Sequence, residues 1–230
     1  MRYIFINHTM PRETENILSR FGHCVRISPL ASLPAPVAAH PDMQIARLGD
    51  KFIVHEENKA LISFLKEKNI PFSAEQTAAG AVYPMDVALN CFGFSGYFFC
   101  SRYTSQTAYA TARSAGLIPV MTKQGYTKCS CLIAGKKIIT ADSAIARACK
   151  AIGADCLEIC ARHIGIDGYD YGFIGGASGV IGDTVIFFGD IMRHPDGEKI
   201  KEAILSQNMN IISASEDMLF DYGGIVTTDI

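Results

Sequence analysis

The sequence predicts an α/β fold: a closed, five-bladed ring of ββαβ units, an α/β-propeller with pseudo-fivefold symmetry. Three observations predict it. Glycines recur at Gly49, Gly93, Gly135 and Gly182, spaced 44, 42 and 47 residues apart, and each closes a half-polar segment and opens a β-branched or aromatic run. After each run comes a stretch with apolar residues three and four apart. The two ends of the chain then supply the parts of one more unit.

From the N-terminus, "RYIFINH", "PRETENILSRFG" and "HCVRIS" read as strand, helix and strand. The Pro-rich "SPLASLPAPVAAHP" reads as a crossing between blades rather than a tether between domains. "GDKFIVHEE", "GFSGYFFCS", "GKKIITAD" and "GDTVIFFGD" each read as a turn and a strand, because glycine permits a tight reversal and branched or aromatic side chains suit a pleated surface. The helices that follow are "ENKALISFLKEKN", "TSQTAYATARSAG", "ADSAIARACKAIG" and "PDGEKIKEAILSQN". A short strand closes each unit: "IPFSAE", "LIPVMT", "ADCLEI" and "MNIISA". The final "FDYGGIVTTDI" supplies the first strand missing from the N-terminal unit, so the termini should share one blade. No unit can bury its apolar faces alone, which makes residues 1–230 a single domain.

Composition narrows the function. Twenty-one basic and 23 acidic residues leave a net charge of −2, with no basic cluster suited to nucleic acid or an anionic membrane. No apolar run approaches the ~20 residues that span a bilayer, and the N-terminus turns charged too early for a secretory signal. A cytoplasmic location is expected. Eight cysteines in a chain of this length read mostly as buried small hydrophobes, with Cys91, Cys149 and Cys156 the clearest cases, and the spacings C-x-C and C-x3-C do not favour structural zinc. No metal or other cofactor is implied.

In a radial repeat the first strand of every unit approaches the axis, so its polar residues converge from distant parts of the chain. Those segments are "HPDMQIARL", "YPMDVALNCF", "GYTKCSCLI", "GFIGGASGVI" and "LFDYGGIVTT". The first three carry His40, Asp42, Asp86, Asn90, Lys128 and Cys129 where packing alone would want apolar side chains. A thiol becomes a nucleophile as thiolate, and Lys128 with an imidazole across the axis would lower its pKa. His40 is the natural imidazole, able to protonate a leaving group near neutral pH. Asp42, two residues on, would share its face if the segment is a strand. "FIGGASGVIG" lacks the lysine and order of a phosphate-binding loop and reads as close backbone packing.

These motifs resemble the pentein, or guanidino-group-modifying, superfamily, nearest to the dimethylarginine dimethylaminohydrolases and the agmatine and arginine deiminases. "GYTKCSCLIAGKK" is similar to the family's Gly-x-x-x-Cys nucleophile segment, with Cys129 in the nucleophile's place. "HPDMQIARLGDKFIV" matches its His-x-Asp, which implies His40 as general acid/base and Asp42 as the carboxylate that grips the guanidinium. "PMDVALNC" repeats a P-x-D-[IV]-A-x-N-C segment. The units follow the family's cyclic order from a different starting point, as in a circular permutant. Where the family carries an acidic pair, this chain has Gly175 and Gly176, and a G-G-D becomes Gly223, Gly224 and Ile225; both departures remove charge.

The resemblance implies a cysteine-dependent hydrolase acting on a C–N bond of an amidine- or guanidine-like small molecule. Cys129 and His40 would be catalytic, and Asp42, Asn90, Lys128, Asp86, Gly175 and Gly176 would contact the substrate. Two alternatives stay open: an amidinotransferase, in which an amine rather than water resolves the intermediate, and a noncatalytic binder on the same fold. A small, cationic partner is expected, without nucleic acid or membrane, and a homo-oligomer is compatible with the pattern.

Overall fold

The computed structural model describes residues 1–228, so the last two residues of the predicted closing segment lie outside it. The N-terminal blade holds β1 (Tyr3–Asn7), α1 (Arg12–Leu18) and β2 (His23–Ile27). The second holds a short helix α2 (Pro41–Gln44), then β3 (Ile45–Leu48), β4 (Lys51–His55), α3 (Lys59–Glu67) and β5 (Phe72–Glu75). The third holds β6 (Phe92–Phe94), β7 (Tyr97–Ser101), α4 (Gln106–Ser114) and β8 (Ile118–Thr122). The fourth holds β9 (Cys131–Ala134), β10 (Lys137–Thr140), α5 (Ser143–Ala151) and β11 (Asp155–Glu158). The fifth holds β12 (Ser178–Ile181), β13 (Thr184–Phe187), α6 (Gly197–Leu205) and β14 (Asn210–Ser213), and β15 (Val226–Thr227) returns to the first blade.

Every blade is a three-stranded sheet whose middle strand pairs antiparallel with the first strand and parallel with the last. The hairpin makes the antiparallel pair, and the helix supplies the crossover that a parallel pair needs. The termini meet as expected: Ile4 pairs with Thr227 and Phe5 with Val226.

One turn differs from the sequence reading. Gly93 lies inside β6, opposite Phe98, and the reversal falls on Ser95 and Gly96, at φ 48° and 82°. A two-residue hairpin needs left-handed backbone to match the strand twist. Gly49, Gly135 and Gly182 provide it at φ 62°, 58° and 61°, whereas in the third blade a serine shares the strain and leaves a weaker mark in the sequence.

The ring is closed by what lies between the blades. One buried cluster joins Phe5 of the first blade to Phe52 and Val54 of the second. Others join Ile53 to Phe98, Phe99 to Ile138, Leu132 and Ile139 to Val185 and Phe187, and Ile186 back to Ile4 and Ile6. Each of the crossover helices α1, α3, α4, α5 and α6 plugs the seam between its own blade and the preceding one, as Leu61 and Leu65 of α3 do beside Phe5. Caps start the helices cleanly: Asn58, Ser105 and Asp142 accept from backbone N–H groups of the first turns of α3, α4 and α5. Among the described residues no helix is long and apolar enough to cross a membrane.

A sixth cluster sits at one end of the axis. The Pro-rich crossing buries Leu30, Leu33, Val37 and Ala38 there, against Met43, Ala79 and Cys129. The nucleophile candidate therefore sits where the loops entering the first strands converge.

Candidate active site

The polar residues singled out at the unit starts lie just before the first strands, not in them. His40 is the N-cap residue of α2, with Pro41 opening the helix, and Asp42 sits in its first turn. This corrects the expectation that His40 and Asp42 share a strand face. His40 keeps extended backbone while Asp42 is helical, so strand alternation does not relate the two side chains. His40 lines a cavity of about 250 Å³, together with Cys129 and Asp221. Asp42, 2% exposed, does not line it, yet its charge and close approach perturb the thiol. Neither Asp42 oxygen makes a hydrogen bond of ordinary geometry, and the group that acts on this buried carboxyl at close range is the Cys129 thiol.

Short polar links hold α2 in place. Gln44 donates to Ala38 O and Ser28 O, and Asn58 donates to Gln44. The Asp42 N–H donates to Gly223 O. Gly223 has φ 79°, and a β-carbon there would stand 2.3 Å from His40 Cβ, so only glycine lets the loop entering β15 close over the histidine.

Asn90 is the clamp of the site and is fully buried. Its amide nitrogen donates to Asp42 O at 3.1 Å and to Cys129 Sγ at 2.8 Å. Its amide oxygen accepts from Lys128 N at 2.7 Å and Cys129 N at 3.1 Å. One side chain thus ties the histidine segment of the second blade to the thiol segment of the fourth. Gly175 N donates to Cys129 O from the other side, and a β-carbon on Gly175 would collide with three carbonyl oxygens of residues 128–131.

The other sequence candidates fall around this centre. Asp86 is buried behind the wall and accepts from the Tyr126 hydroxyl at 2.6 Å. Gly176 packs on Asp221, whose oxygens leave no room for a β-carbon. Lys128 and Gly175 line a second cavity of about 130 Å³ with Ser178 and Ile225. Asp86, Asn90, Lys128, Gly175 and Gly176 thus stand around the Cys129 cavity rather than on its wall, and Lys128, next to Cys129 in the thiol loop, faces the second cavity instead.

Asp221 is the residue that sequence reasoning missed. It stands in "FDYGG", on the approach to β15 and so at the start of the unit that the two termini share, four residues before Ile225, where the sequence shows a loss of charge. Its Oδ1 accepts from Gly223 N and its Oδ2 from Phe173 N, both at 2.8 Å, and Oδ1 lies 3.6 Å from His40 Nδ1. Asp170 adds another carboxylate to the cavity wall. The charge missing at Gly175 and Gly176 is supplied from elsewhere.

These neighbours reverse the expected thiol electrostatics. Burial pushes the Cys129 thiol well above its ordinary value, and Asp42 and Asp221 push it further. Lys128 acts instead on Asp42 and Asp221, as a lowering influence that burial outweighs in both. Burial lowers His40 against the raising influence of Asp221 and Asp167. Burial and Asp221 raise Asp42 to about 7, and burial raises Asp221 too. The resting pair is a neutral thiol beside a neutral imidazole.

A stability prediction follows. Asp42 has its folded pKa near 7 against an ordinary 3.8, so the folded state holds a proton that the unfolded chain has lost. Its contribution is full below about pH 4 and is lost as pH rises towards 7. His40 has the opposite sign, its contribution falling as pH drops below the ordinary histidine value, and it is common to both proteins compared. Asp42→Asn is expected to exceed the wild type in stability at pH 8 by on the order of 2–4 kcal/mol, with the gap closing near pH 4. Thermal melts across that range check it; a pH-independent difference counts against the assignment.

Comparison with known proteins agrees with the ring. A family model described as "Family of unknown function (DUF6873)" matches residues 5–226. No curated protein matches the chain in sequence. Among solved structures, DDAH from Pseudomonas aeruginosa complexed with citrulline superposes with a TM-score of 0.58 at 8% identity, over 93% of this chain and 92% of its own. The N-terminal domain of ArgZ, covalently bound to a reaction intermediate, gives 0.57 at 7% identity over 94% and 92%. SxtG, an amidinotransferase from Microseira wollei in a saxitoxin biosynthetic pathway, gives 0.57 at 11% over 95% and 79%. At such identities the likeness establishes the fold, and the fold is the pentein fold.

Proposed function

This chain belongs to the DUF6873 family, a family of unknown function, and from that premise we propose that it is a cysteine-dependent enzyme that breaks a C–N bond of a guanidinium- or amidinium-bearing small molecule. The observation that carries this reading is the convergence of Cys129, His40 and Asp221 on one cavity, with the buried carboxyl of Asp42 acting on the thiol from outside it.

The chemistry follows from charge. A planar cation in the cavity would pair with the buried carboxylates, and its own charge would draw the thiol downward just as the carboxylates hold it up. The thiol proton passes to His40, which Asp221 steadies as imidazolium. The thiolate adds to the central carbon of the substrate, forming a C–S bond. Collapse of the tetrahedral adduct breaks the C–N bond, and His40 gives its proton to the departing nitrogen. Neutral His40 then takes a proton from water, the hydroxide adds to the same carbon, and the C–S bond breaks to return the thiolate. An amine in place of that water would make the reaction an amidino transfer, the activity named for SxtG.

A binding-only reading draws on one observation: Cys129 is 4% exposed and belongs to an apolar cluster. A pair of alkylating probes separates the two. 2-Chloroacetamidine and 2-chloroacetamide share carbon skeleton and leaving chloride, and only the first is a cation. The amidine is expected to label Cys129 about 100-fold faster at pH 7, and Asp221→Asn should shrink that ratio by about 10-fold. Mass mapping checks the site. Equal rates, or labelling of exposed Cys160 alone, reject the enzyme.

A further inference from the structure

We propose that the cavity takes a monocationic guanidine or amidine whose tail is apolar and carries no carboxylate. This deepens the reading of the Cys129 site given above and rests on it.

The wall decides the tail. Apart from His40, Cys129 and the two carboxylates, the lining is Val37, Met43, Ile166 and a group of aromatic rings. The rings are ordered against one another: Tyr126 and Phe173 stand 6.0 Å apart, and Tyr171 meets Phe173 edge-on at 6.1 Å. Such rings bury an apolar chain or a flat ring well.

Among the described residues no lysine or arginine lines this cavity. The two cations nearby face elsewhere. Lys128 lines the second cavity, and Arg162 stacks over the Tyr171 ring at 5.5 Å while lining a separate small cavity of about 60 Å³. A substrate carboxylate would enter an apolar space already holding Asp170 and Asp221, with Asp167 close enough to act on His40. It would lose its hydration and meet only like charge.

Size sets the scale. An apolar cavity of roughly 150 Å³ holds benzene. The 250 Å³ here suits a guanidinium head with one ring or a short alkyl chain. The head would sit at Asp221 and Cys129, and the tail would run along Tyr126 and Phe173 towards half-exposed Tyr169.

Direct binding tests this without turnover. Calorimetry on Cys129→Ala, and on the wild type at pH 6 where the thiol stays protonated, would use four probes: benzylguanidine, butylguanidine, 4-guanidinobutanoate and arginine. The two apolar guanidines are expected to bind about 100-fold more tightly than either carboxylate-bearing probe in both proteins. Tighter or equal binding of 4-guanidinobutanoate or arginine overturns the proposal, as does failure of benzylguanidine and butylguanidine to saturate by about 10 mM. Failed amidine labelling with this affinity order intact rejects the enzyme and keeps the ligand class. Successful labelling with the order reversed rejects the ligand class alone.

Discussion

Replacing Cys129 by alanine is expected to abolish turnover of any guanidinium substrate, by about 10⁴-fold or more, and to remove the covalent adduct seen by intact mass. The loss should be chemical rather than structural. The backbone N–H of residue 129 would still donate to Asn90 Oδ1, and its carbonyl would still accept from Gly175. Asn90 would keep Asp42 O as an acceptor. Circular dichroism and melting temperature should therefore stay close to wild type while activity disappears. Turnover that survives the substitution, or an adduct that persists on it, would place the nucleophile elsewhere.

The second large effect belongs to Asn90. Truncation to alanine would strand the N–H groups of Lys128 and Cys129 and the carbonyl of Asp42 in a buried place, at about 1–3 kcal/mol for each unpaired group. A loss of about 4 kcal/mol is expected, which for a chain of this size lowers the melting temperature by roughly 10 °C. Denaturant titration measures it directly. A loss under about 1 kcal/mol would mean that the two loops hold their positions without this amide, and Asn90 would no longer be the clamp.

The fold was legible because its signals are local. Turn glycines, β-branched runs and the three-and-four spacing of apolar residues are written within each stretch of about forty residues, and their repetition predicts the ring. The one displaced turn, Ser95–Gly96 instead of Gly93, marks where a serine carries backbone strain that the eye assigns to glycine. The thiol and the imidazole were legible as polar residues at unit starts, and Asn90 likewise.

What the chain by itself determined, then, is the order of its units, the shared blade of its termini and the identity of Cys129, His40, Asp42 and Asn90 as residues that meet near the axis. Only the tertiary structure decided what surrounds them. It placed Asp221 against His40, set Lys128 on another cavity and lined the Cys129 cavity with aromatic rings from the 159–173 connection. The physical reason is range: periodicity acts between neighbours in sequence, whereas the charge state of a buried thiol depends on desolvation and on carboxylates more than forty residues away in the chain.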